Sequence, residues 1–176
     1  MSETQGMTET PNGDSRPTRA DGVKKVAELA KGMKFSMLTT IDAGGELVAR
    51  PMGVQEVEFD GDLWFFAEKD SRKVTHIKAN PHVGVTMTSS DSWLSIDGTA
   101  TVVRDTAKAK DLWNPFVEAW LPQGYEDPSV VLLKVEASTA QYWDTPGGFV
   151  ASAISFVKSK VTGERYDGGE EGVVEF

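Results

Sequence analysis

Short apolar segments with strand-like patterning, separated by turn sequences, are the feature that most constrains the fold of this 176-residue chain. Residues 63–67 are continuously apolar, as in a strand buried on both faces, whereas 93–103 alternates through Leu94, Ile96 and Ala100. Turn-forming residues favour hairpins between neighbouring segments. The predicted strands span 35–41, 47–52, 63–67, 83–88, 93–103 and 130–136. About six antiparallel strands with only short helices favour a mainly β fold, a small barrel.

Helical spacing or composition predicts four short helices, over 22–31, 71–79, 107–120 and 149–161. Gly32 suits the left-handed position that often follows a last helical turn. Pro115 should kink or divide the third helix, because its ring removes a helical hydrogen bond. Pro51 cannot donate to a strand ladder, so it predicts a sheet edge, a bulge or a break before a further strand over 55–59.

The length and apolar content of the chain suit one hydrophobic core. We expect a disordered N-terminal tail over 1–20, one folded domain over 21–165 and a solvated, acidic, Gly-rich tail over 166–176. Residues 1–20 lack the apolar core of a signal peptide, and no apolar run approaches the roughly 20 residues that a membrane span requires. The sequence therefore predicts a cytoplasmic protein that does not insert into a membrane.

Charge and cysteine content exclude several classes of function. The formal net charge of -9 argues against general binding to nucleic acid or anionic membranes, although a local site for one small anion is allowed. The absence of cysteine from the sequence excludes disulfides, thiolate catalysis and thiolate metal ligands. No paired carboxylates, nucleophile with a base, or metal-binding cluster stands out, so we expect no metal site.

A candidate phosphate site follows the continuous apolar segment. Ser71, Arg72 and Lys73 stand at the start of a predicted helix, where free backbone N–H groups favour an anion and the two cations add charge-assisted hydrogen bonds. The alternative is a solvated basic helix start without a ligand. Arg50 lies on a preceding strand, and barrel geometry could bring it beside Arg72 and Lys73. Convergence of three cations would favour the phosphate site.

These segments resemble a known family. The pyridoxamine 5′-phosphate oxidase-like FMN-binding split barrels have cofactor segments similar to Arg50-Pro51-Met52, to residues 63–67 and to Ser71-Arg72-Lys73. The resemblance covers most of residues 22–165. Two motifs, at 120–124 and 141–144, resemble the general stress protein 26 branch of the family in particular.

The resemblance implies a split β-barrel that binds FMN, with FAD as an alternative, in a homodimer that has the flavin at the subunit interface. It assigns the FMN phosphate to Arg50, Arg72 and Lys73, with Ser71 close by. The full set of flavin-binding residues that it implies is Arg50, Pro51, Met52, Val54, Phe66, Ala67, Ser71, Arg72, Lys73, Trp93 and Trp143.

The flavin ring is assigned by the same resemblance. Met52 and Val54 would border the isoalloxazine, Phe66 and Ala67 would contact it, and Trp93 would enter from the other subunit. A second subunit is also expected because a small split barrel exposes a sheet edge that must be covered.

Other aromatic residues and the histidines carry weaker signals. Trp143 resembles a tryptophan after the last strand that approaches the cofactor in relatives, and a core-capping role is the alternative. Trp113, Phe116 and Trp120 recur at helical spacing, which indicates packing in the core or at a dimer surface. His76 is expected at the surface, one helical turn beyond Lys73.

The C-terminal segment bears on the type of activity. True pyridoxamine-phosphate oxidases carry an Arg-Leu-His type segment there, whereas this chain has Gly163-Glu164-Arg165-Tyr166-Asp167, which argues against that activity. Any chemistry should then be the flavin's own hydride or electron transfer. The sequence favours a flavin-dependent oxidoreductase with an unknown substrate; the alternatives are a non-enzymatic flavin binder or carrier, or a split barrel that uses deazaflavin or haem.

Overall fold

The computed structural model describes residues 19–55, 59–145 and 169–176. In these residues the chain forms seven strands, β1 (Phe35–Ile41), β2 (Leu47–Gly53), β3 (Asp62–Glu68), β4 (His82–Thr88), β5 (Ser92–Val103), β6 (Val130–Asp144) and β7 (Glu170–Glu175). The same ranges contain four helices, α1 (Arg19–Ala30), α2 (Arg72–Ala79), α3 (Thr106–Leu112) and α4 (Pro115–Trp120).

All of these strands belong to one antiparallel sheet. Its order is β2-β1-β4-β5-β6-β3, and β7 pairs with β6 next to β3. The two end strands of this order, β2 and β3, approach each other but do not pair within the described residues, so the sheet is not closed. The predicted mainly β split-barrel fold is confirmed.

The first hairpin shows how local hydrogen bonds set the register. The Oδ1 of Asp42 accepts from two backbone N–H groups of the turn, at 2.8 and 3.0 Å, and Gly45 has a φ of +84°. β1 and β2 then pair so that Leu38 faces Arg50. Pro51 lies on β2, which is an edge strand of the sheet, so its missing N–H interrupts no inner ladder.

β3 is buried on both faces, as its continuous apolar run predicted. Phe65 is fully buried in the main core with side chains of α1 and α2, whereas Phe66 packs in a second core with Leu112 of α3 and Val117 of α4. Successive strand residues point to opposite faces, so these two adjacent phenylalanines fill two different cores. β3 therefore fixes α3 and α4 relative to the sheet.

The C-terminal residues form a strand, which corrects the prediction of a solvated acidic tail over 166–176. β7 pairs with residues 139–144 of β6 and buries Val174. A Cβ at Gly172 would lie 2.6 Å from the Tyr142 ring, so glycine lets β7 approach β6 closely. Three of the six residues in β7 are glutamates, and this polarity concealed an edge strand in which only alternate positions need to face the core.

Two further element boundaries differ from the predictions. β6 continues to Asp144 instead of ending at 136, because β5 and β7 both supply ladder partners beyond that point. Trp143 therefore lies within β6 and not after it. Pro115 divides the predicted third helix, as expected, because Asn114 breaks the helix and caps the next one.

Several predictions fall outside the described residues. The helix predicted over 149–161, residues 1–18 of the N-terminal tail and the centre of the strand predicted over 55–59 are not described. In the described part, α1 begins at Arg19, and Gly32 has the positive φ expected after a last helical turn, +91°.

Candidate functional site

Three cations from two segments, β2 and α2, come together beside the N-terminus of α2. Arg50 projects from β2, and its Nη1 donates to the backbone carbonyl of Leu38 at 2.9 Å. Arg72 and Lys73 form the first turn of α2. The charge of Arg72 acts on Arg50, and the charge of Arg50 acts on Lys73. We term Arg50, Arg72 and Lys73 the cationic cluster.

The cationic cluster is partly withdrawn from water, and the nearby carboxylates Glu68 and Asp42 act on it without forming an ion pair within the described residues. Burial lowers the pKa of Arg50, with a smaller contribution from Arg72. Burial also lowers the pKa of Lys73, Arg50 lowers it further, and Glu68 acts in the opposite direction. Among the described residues, no carboxylate forms an ion pair with any member of the cluster. Like charges held together in this way attract an anion.

Ser71 adds an unsatisfied hydroxyl to this cluster. It is the N-cap residue of α2, yet its side chain makes no capping hydrogen bond, and its buried Oγ has no partner within the described structure. A serine at this position ordinarily accepts from a backbone N–H of the first turn. Leaving a buried polar group unpaired costs roughly 1–3 kcal/mol. The free hydroxyl, the N–H groups of the helix start and the cationic cluster together fit a phosphate-type anion.

A cleft of about 360 Å³ adjoins the cationic cluster, and residues of β2, β3 and α4 line it. Of its described lining residues, only Glu68 and Lys73 are charged. Its size falls in the range of small-molecule sites, roughly 300–1,000 Å³, and a mostly apolar lining with a few polar groups is typical of such sites. The cleft and the cluster together suit a ligand with a flat apolar part and an anionic part.

Most of the predicted site residues lie in the cleft or at the cationic cluster, whereas Val54, Trp93 and Trp143 lie in neither. Those that line the cleft are Pro51, Met52, Phe66, Ala67 and Lys73. Val54 does not line it, because the chain turns towards α1 after β2 ends. Its N–H donates to the carbonyl of Lys34 at 2.9 Å, and its side chain lines a neighbouring cavity of about 740 Å³.

Trp93 and Trp143 lie outside this cleft, on the outer face of the sheet. They are directly opposite each other on β5 and β6, and they are 46% and 41% exposed. Residues paired in this way project from the same face of a sheet. The core-capping alternative for Trp143 is therefore wrong, since its ring does not cover the described core.

Sequence reasoning missed part of the cleft wall. The remaining lining residues are Phe35, Gly53, Gln55, Glu68, Phe116, Val117, Trp120 and Leu121. Of the predicted packing stripe, Trp113 packs against the second core, whereas Phe116 and Trp120 are 46% and 74% exposed and lie in neither described core, so a dimer surface stays the prediction for these two. Because the helix is broken at Asn114, these three residues do not share one continuous helical face.

His76 is buried, which corrects the expectation of a surface histidine. It is 8% exposed, and its Nδ1 lies 2.9 Å from the Oγ1 of Thr40, which is fully buried. This hydrogen bond ties α2 to β1. It therefore helps to hold the first turn of α2, with Arg72 and Lys73, against the strand that neighbours Arg50.

Residues 19–55, 59–145 and 169–176 contain neither a metal-binding cluster nor a membrane-spanning helix. In these ranges no group of three or more His, Asp or Glu side chains could hold a metal ion. The helices found there are too short or too polar to cross a membrane.

The open antiparallel sheet carries the cationic cluster and the apolar cleft, and the amino-acid sequence matches a known family. Residues 21–167 match the family described as pyridoxamine 5′-phosphate oxidase like. The chain belongs to this family.

Individual relatives support the branch that the motifs indicated. The protein bli-3 of Neurospora crassa is 30% identical over 156 residues, which cover 80% of this chain and 75% of that protein. A Jannaschia sp. CCS1 structure described as general stress protein 26 has a TM-score of 0.75 at 26% identity, covering 89% of this chain and 99% of the other. A general stress FMN/FAD binding protein from Xanthomonas citri has a TM-score of 0.62 at 31% identity, with coverages of 72% and 91%. The resemblance to general stress protein 26 is confirmed.

Proposed function

We propose that this protein is a cytoplasmic FMN-binding flavoprotein that acts as a flavin-dependent oxidoreductase of general stress protein 26 type. The observation that carries this proposal is the buried Oγ of Ser71, which has no hydrogen-bond partner among the described residues, beside the three cations of the cluster. The description of the Xanthomonas citri relative as an FMN/FAD binding protein supports a flavin as the ligand. A phosphate is the anion that a flavin mononucleotide offers to such a site.

The phosphate would be held by groups that the fold has already positioned. Arg72 and Lys73 would donate charge-assisted hydrogen bonds to phosphate oxygens, and Ser71 would gain the partner that its Oγ lacks. The guanidinium of Arg50 is anchored by the carbonyl of Leu38, so little side-chain entropy would be lost when it binds.

The isoalloxazine ring would occupy the apolar cleft. Pro51, Met52, Phe66 and Ala67 line that cleft and would contact the ring. Bound FMN would supply hydride or electron transfer. The residues of the chain would bind and orient the ring and limit the access of water to it.

We also propose that the protein is a homodimer. The outer face of the sheet exposes Met37, Trp93, Trp143 and Val173, and the strand register places all four side chains on one side. Large exposed apolar side chains gathered on one face of a sheet mark an interaction site. On this proposal, Trp93 and Trp143 of each subunit approach the flavin of the other. A monomer in light scattering at micromolar concentration would refute the dimer.

The test of the phosphate site is a comparison of FMN with riboflavin, which has the same ring without the phosphate. Replacing Arg72→Ala should raise the Kd for FMN about 10- to 100-fold, because a hydrogen bond to a charged group contributes roughly 1.5–3 kcal/mol. The Kd for riboflavin should change little. Arg72→Lys should restore part of the FMN affinity, since it keeps the charge but loses the planar two-pronged geometry.

The matched control is Lys78→Ala, which removes an exposed cation from the same helix but not from the cluster. It should leave both affinities unchanged. Equal losses for FMN and riboflavin, or an equal effect of Lys78→Ala, would remove Arg72 from the site and refute the proposal.

A second measurement separates an enzyme from a flavin carrier. Under anaerobic conditions, NADPH or NADH should bleach the flavin absorbance of the loaded protein, and an electron acceptor should restore it. A non-enzymatic carrier would be favoured by two results together. Neither nucleotide would reduce the bound flavin, and protein reduced with dithionite would not pass electrons to added acceptors.

A further inference from the structure

Three exposed aromatic side chains line one wall of the cleft, and we term them the aromatic shelf. They are Phe35 of β1 and Phe116 and Trp120 of α4, with exposures of 56%, 46% and 74%. The rings of Phe35 and Phe116 meet edge to face with centroids 5.5 Å apart. An exposed tryptophan beside two exposed phenylalanines is an unusual use of surface area in a soluble domain.

Trp120 contributes little to the packing of α4. Val117 and Leu121 are buried and anchor the helix to the second core. Trp113, just before α4, packs edge-on against Phe66 and Tyr125, with ring centroids 5.3 and 5.7 Å away. The folding of this region therefore uses the neighbouring apolar side chains and leaves most of the Trp120 ring exposed.

The Phe116 part of the aromatic shelf is nevertheless held in a fixed position. The Oδ1 of Asn114 accepts from the N–H groups of Phe116 and Val117 at 3.0 and 3.1 Å, and its Nδ2 donates to the Oε1 of Gln55 at 3.1 Å. A Cβ at Gly53 would lie 3.0 Å from the Phe116 ring, so glycine allows this ring to pack onto β2. A rigid, exposed apolar surface is preorganised for a ligand, because little entropy is lost on binding.

We propose that the aromatic shelf binds, by stacking, a planar, uncharged, conjugated ring of a second small molecule at the exposed side of the cleft, beside the proposed flavin ring. The assignment of this molecule as second to a flavin rests on the proposed function, whereas the ring recognition rests on the shelf itself. The only charged side chains among the described lining residues are Glu68 and Lys73, and Lys73 belongs to the cationic cluster. The shelf thus presents ring faces and edges but no charged partner, which selects a neutral flat ring over a charged or saturated one.

The experiment uses the FMN-loaded, full-length protein and 1,4-naphthoquinone as the probe. Thiol addition by the quinone is not a concern, because the sequence contains no cysteine. Trp120→Ala should raise the Kd of the probe, measured by isothermal titration, about tenfold, and Trp120→Phe should retain most of the affinity. The control is Leu47→Ala, which removes a side chain of equal exposure, 75%, that does not line the cleft. It should leave the Kd of the probe unchanged.

A saturated two-ring diketone of the same size should bind at least several-fold more weakly than 1,4-naphthoquinone to the wild type. Equal binding of the two probes would overturn the proposal, as would equal losses in Trp120→Ala and Leu47→Ala. A parallel loss of FMN affinity in Trp120→Ala would assign the shelf to the flavin and overturn the second ligand. Conversion of a dimer to a monomer by Trp120→Ala would show that a second copy covers the shelf, with the same consequence.

The flavin titration makes the two proposals separable. If the protein binds no FMN but still binds 1,4-naphthoquinone in a Trp120-dependent way, the proposed function fails and the ring site stands. If FMN binds with the expected dependence on Arg72 and the probe does not bind, the ring site fails and the proposed function stands.

Discussion

Lys25 and Lys73 are both partly buried amines, and their surroundings are opposite. Lys25 of α1 donates to Asp144 at 2.6 Å and to Glu170 at 3.0 Å. Burial alone would lower its pKa, but the hydrogen bonds to the two carboxylates raise it. Lys73 has no such partners among the described residues. Burial and Arg50 lower its pKa.

The difference separates charges that build the fold from charges that await a ligand. The charged groups around Lys25 are paired with one another, because Lys25 donates to both carboxylates and Asp144 also accepts from the Oγ of Ser92 at 2.9 Å. Around Lys73 there are two further cations and the unpaired hydroxyl of Ser71. A protein tolerates such a cluster at a functional site, where a ligand offsets the unfavourable interactions. We therefore expect equivalent changes at the two lysines to have different results.

The largest expected effect is on ligand affinity at Lys73. Lys73→Met keeps most of the apolar side chain but removes its charge and donors, so the Kd for FMN should rise about 10- to 100-fold. In flavin-free protein, the same change should leave the melting temperature unchanged or higher, because it relieves repulsion from Arg50. Fluorescence titration and a thermal melt measure the two quantities. A lower melting temperature with unchanged FMN affinity would show that Lys73, like Lys25, stabilises the fold and does not bind the ligand.

Lys25→Met should produce the converse result. It leaves the part-buried carboxylate of Asp144 without its cation, and we expect a loss of about 1–2 kcal/mol in the free energy of unfolding, discounted because Lys25 and Glu170 are partly exposed. Urea denaturation measures this loss. The affinity for FMN should not change, and a selective loss of FMN binding would show that this corner belongs to the site.

Thr40→Val tests whether the hydrogen bond between Thr40 and His76 holds α2 in the position that FMN binding requires. Removal of the hydroxyl leaves the Nδ1 of His76 unpaired in a buried position, at a cost of about 1 kcal/mol in the free energy of unfolding. A slightly displaced α2 should also raise the Kd for FMN about two- to fivefold. Thr101→Val, at an exposed strand position, is the control and should change neither quantity. An unchanged FMN affinity in Thr40→Val would confine this hydrogen bond to stability.

The smallest expected effect is a pH dependence at the Lys25 corner. Burial would raise the pKa of Asp144, but the hydrogen bonds from Lys25 and Ser92 lower it below its usual 3.8. Its stabilising contribution is therefore present above that value and is lost as the pH falls through the lower folded-state pKa. Asp144→Asn should reduce the decrease in the free energy of unfolding at acid pH by less than about 1 kcal/mol. Part of the decrease should persist in the variant, because the pKa values of Asp42 and Asp127 are also lowered in the folded protein. Superimposable pH profiles for the two proteins would contradict this prediction.

Much of the fold was predictable because local patterns and turn chemistry agreed. The first hairpin, the doubly buried strand β3 and the division of a helix at Pro115 follow from features within a few residues of each other. β7 was not predictable in this way. Its place depends on Gly172 admitting the Tyr142 ring, a contact between residues that are distant in the sequence.

The parts of the candidate site that consist of adjacent charged residues were predictable from the sequence. The parts that depend on the course of the chain were not. Ser71, Arg72 and Lys73 are adjacent in sequence and mark a helix start, and Arg50 was placed beside them by the expected barrel. Phe116 was assigned to packing, because periodicity alone does not show that Asn114 redirects the chain. Val54 lies outside the cleft for a related reason, since the chain leaves β2 immediately before it.

The docking of β7 against α1 has a consequence for how the protein is synthesised. Lys25 and Glu170 are 145 residues apart, and Gly22 packs against Val174 so closely that a Cβ would lie 2.8 Å from it. Contacts at this separation form late, because the intervening chain must first be ordered. During translation α1 is synthesised early, but part of its inner face stays exposed until β7 has been synthesised and can pack against it. A nascent chain stalled before residue 169 should therefore expose that face to chaperones and proteases until translation resumes.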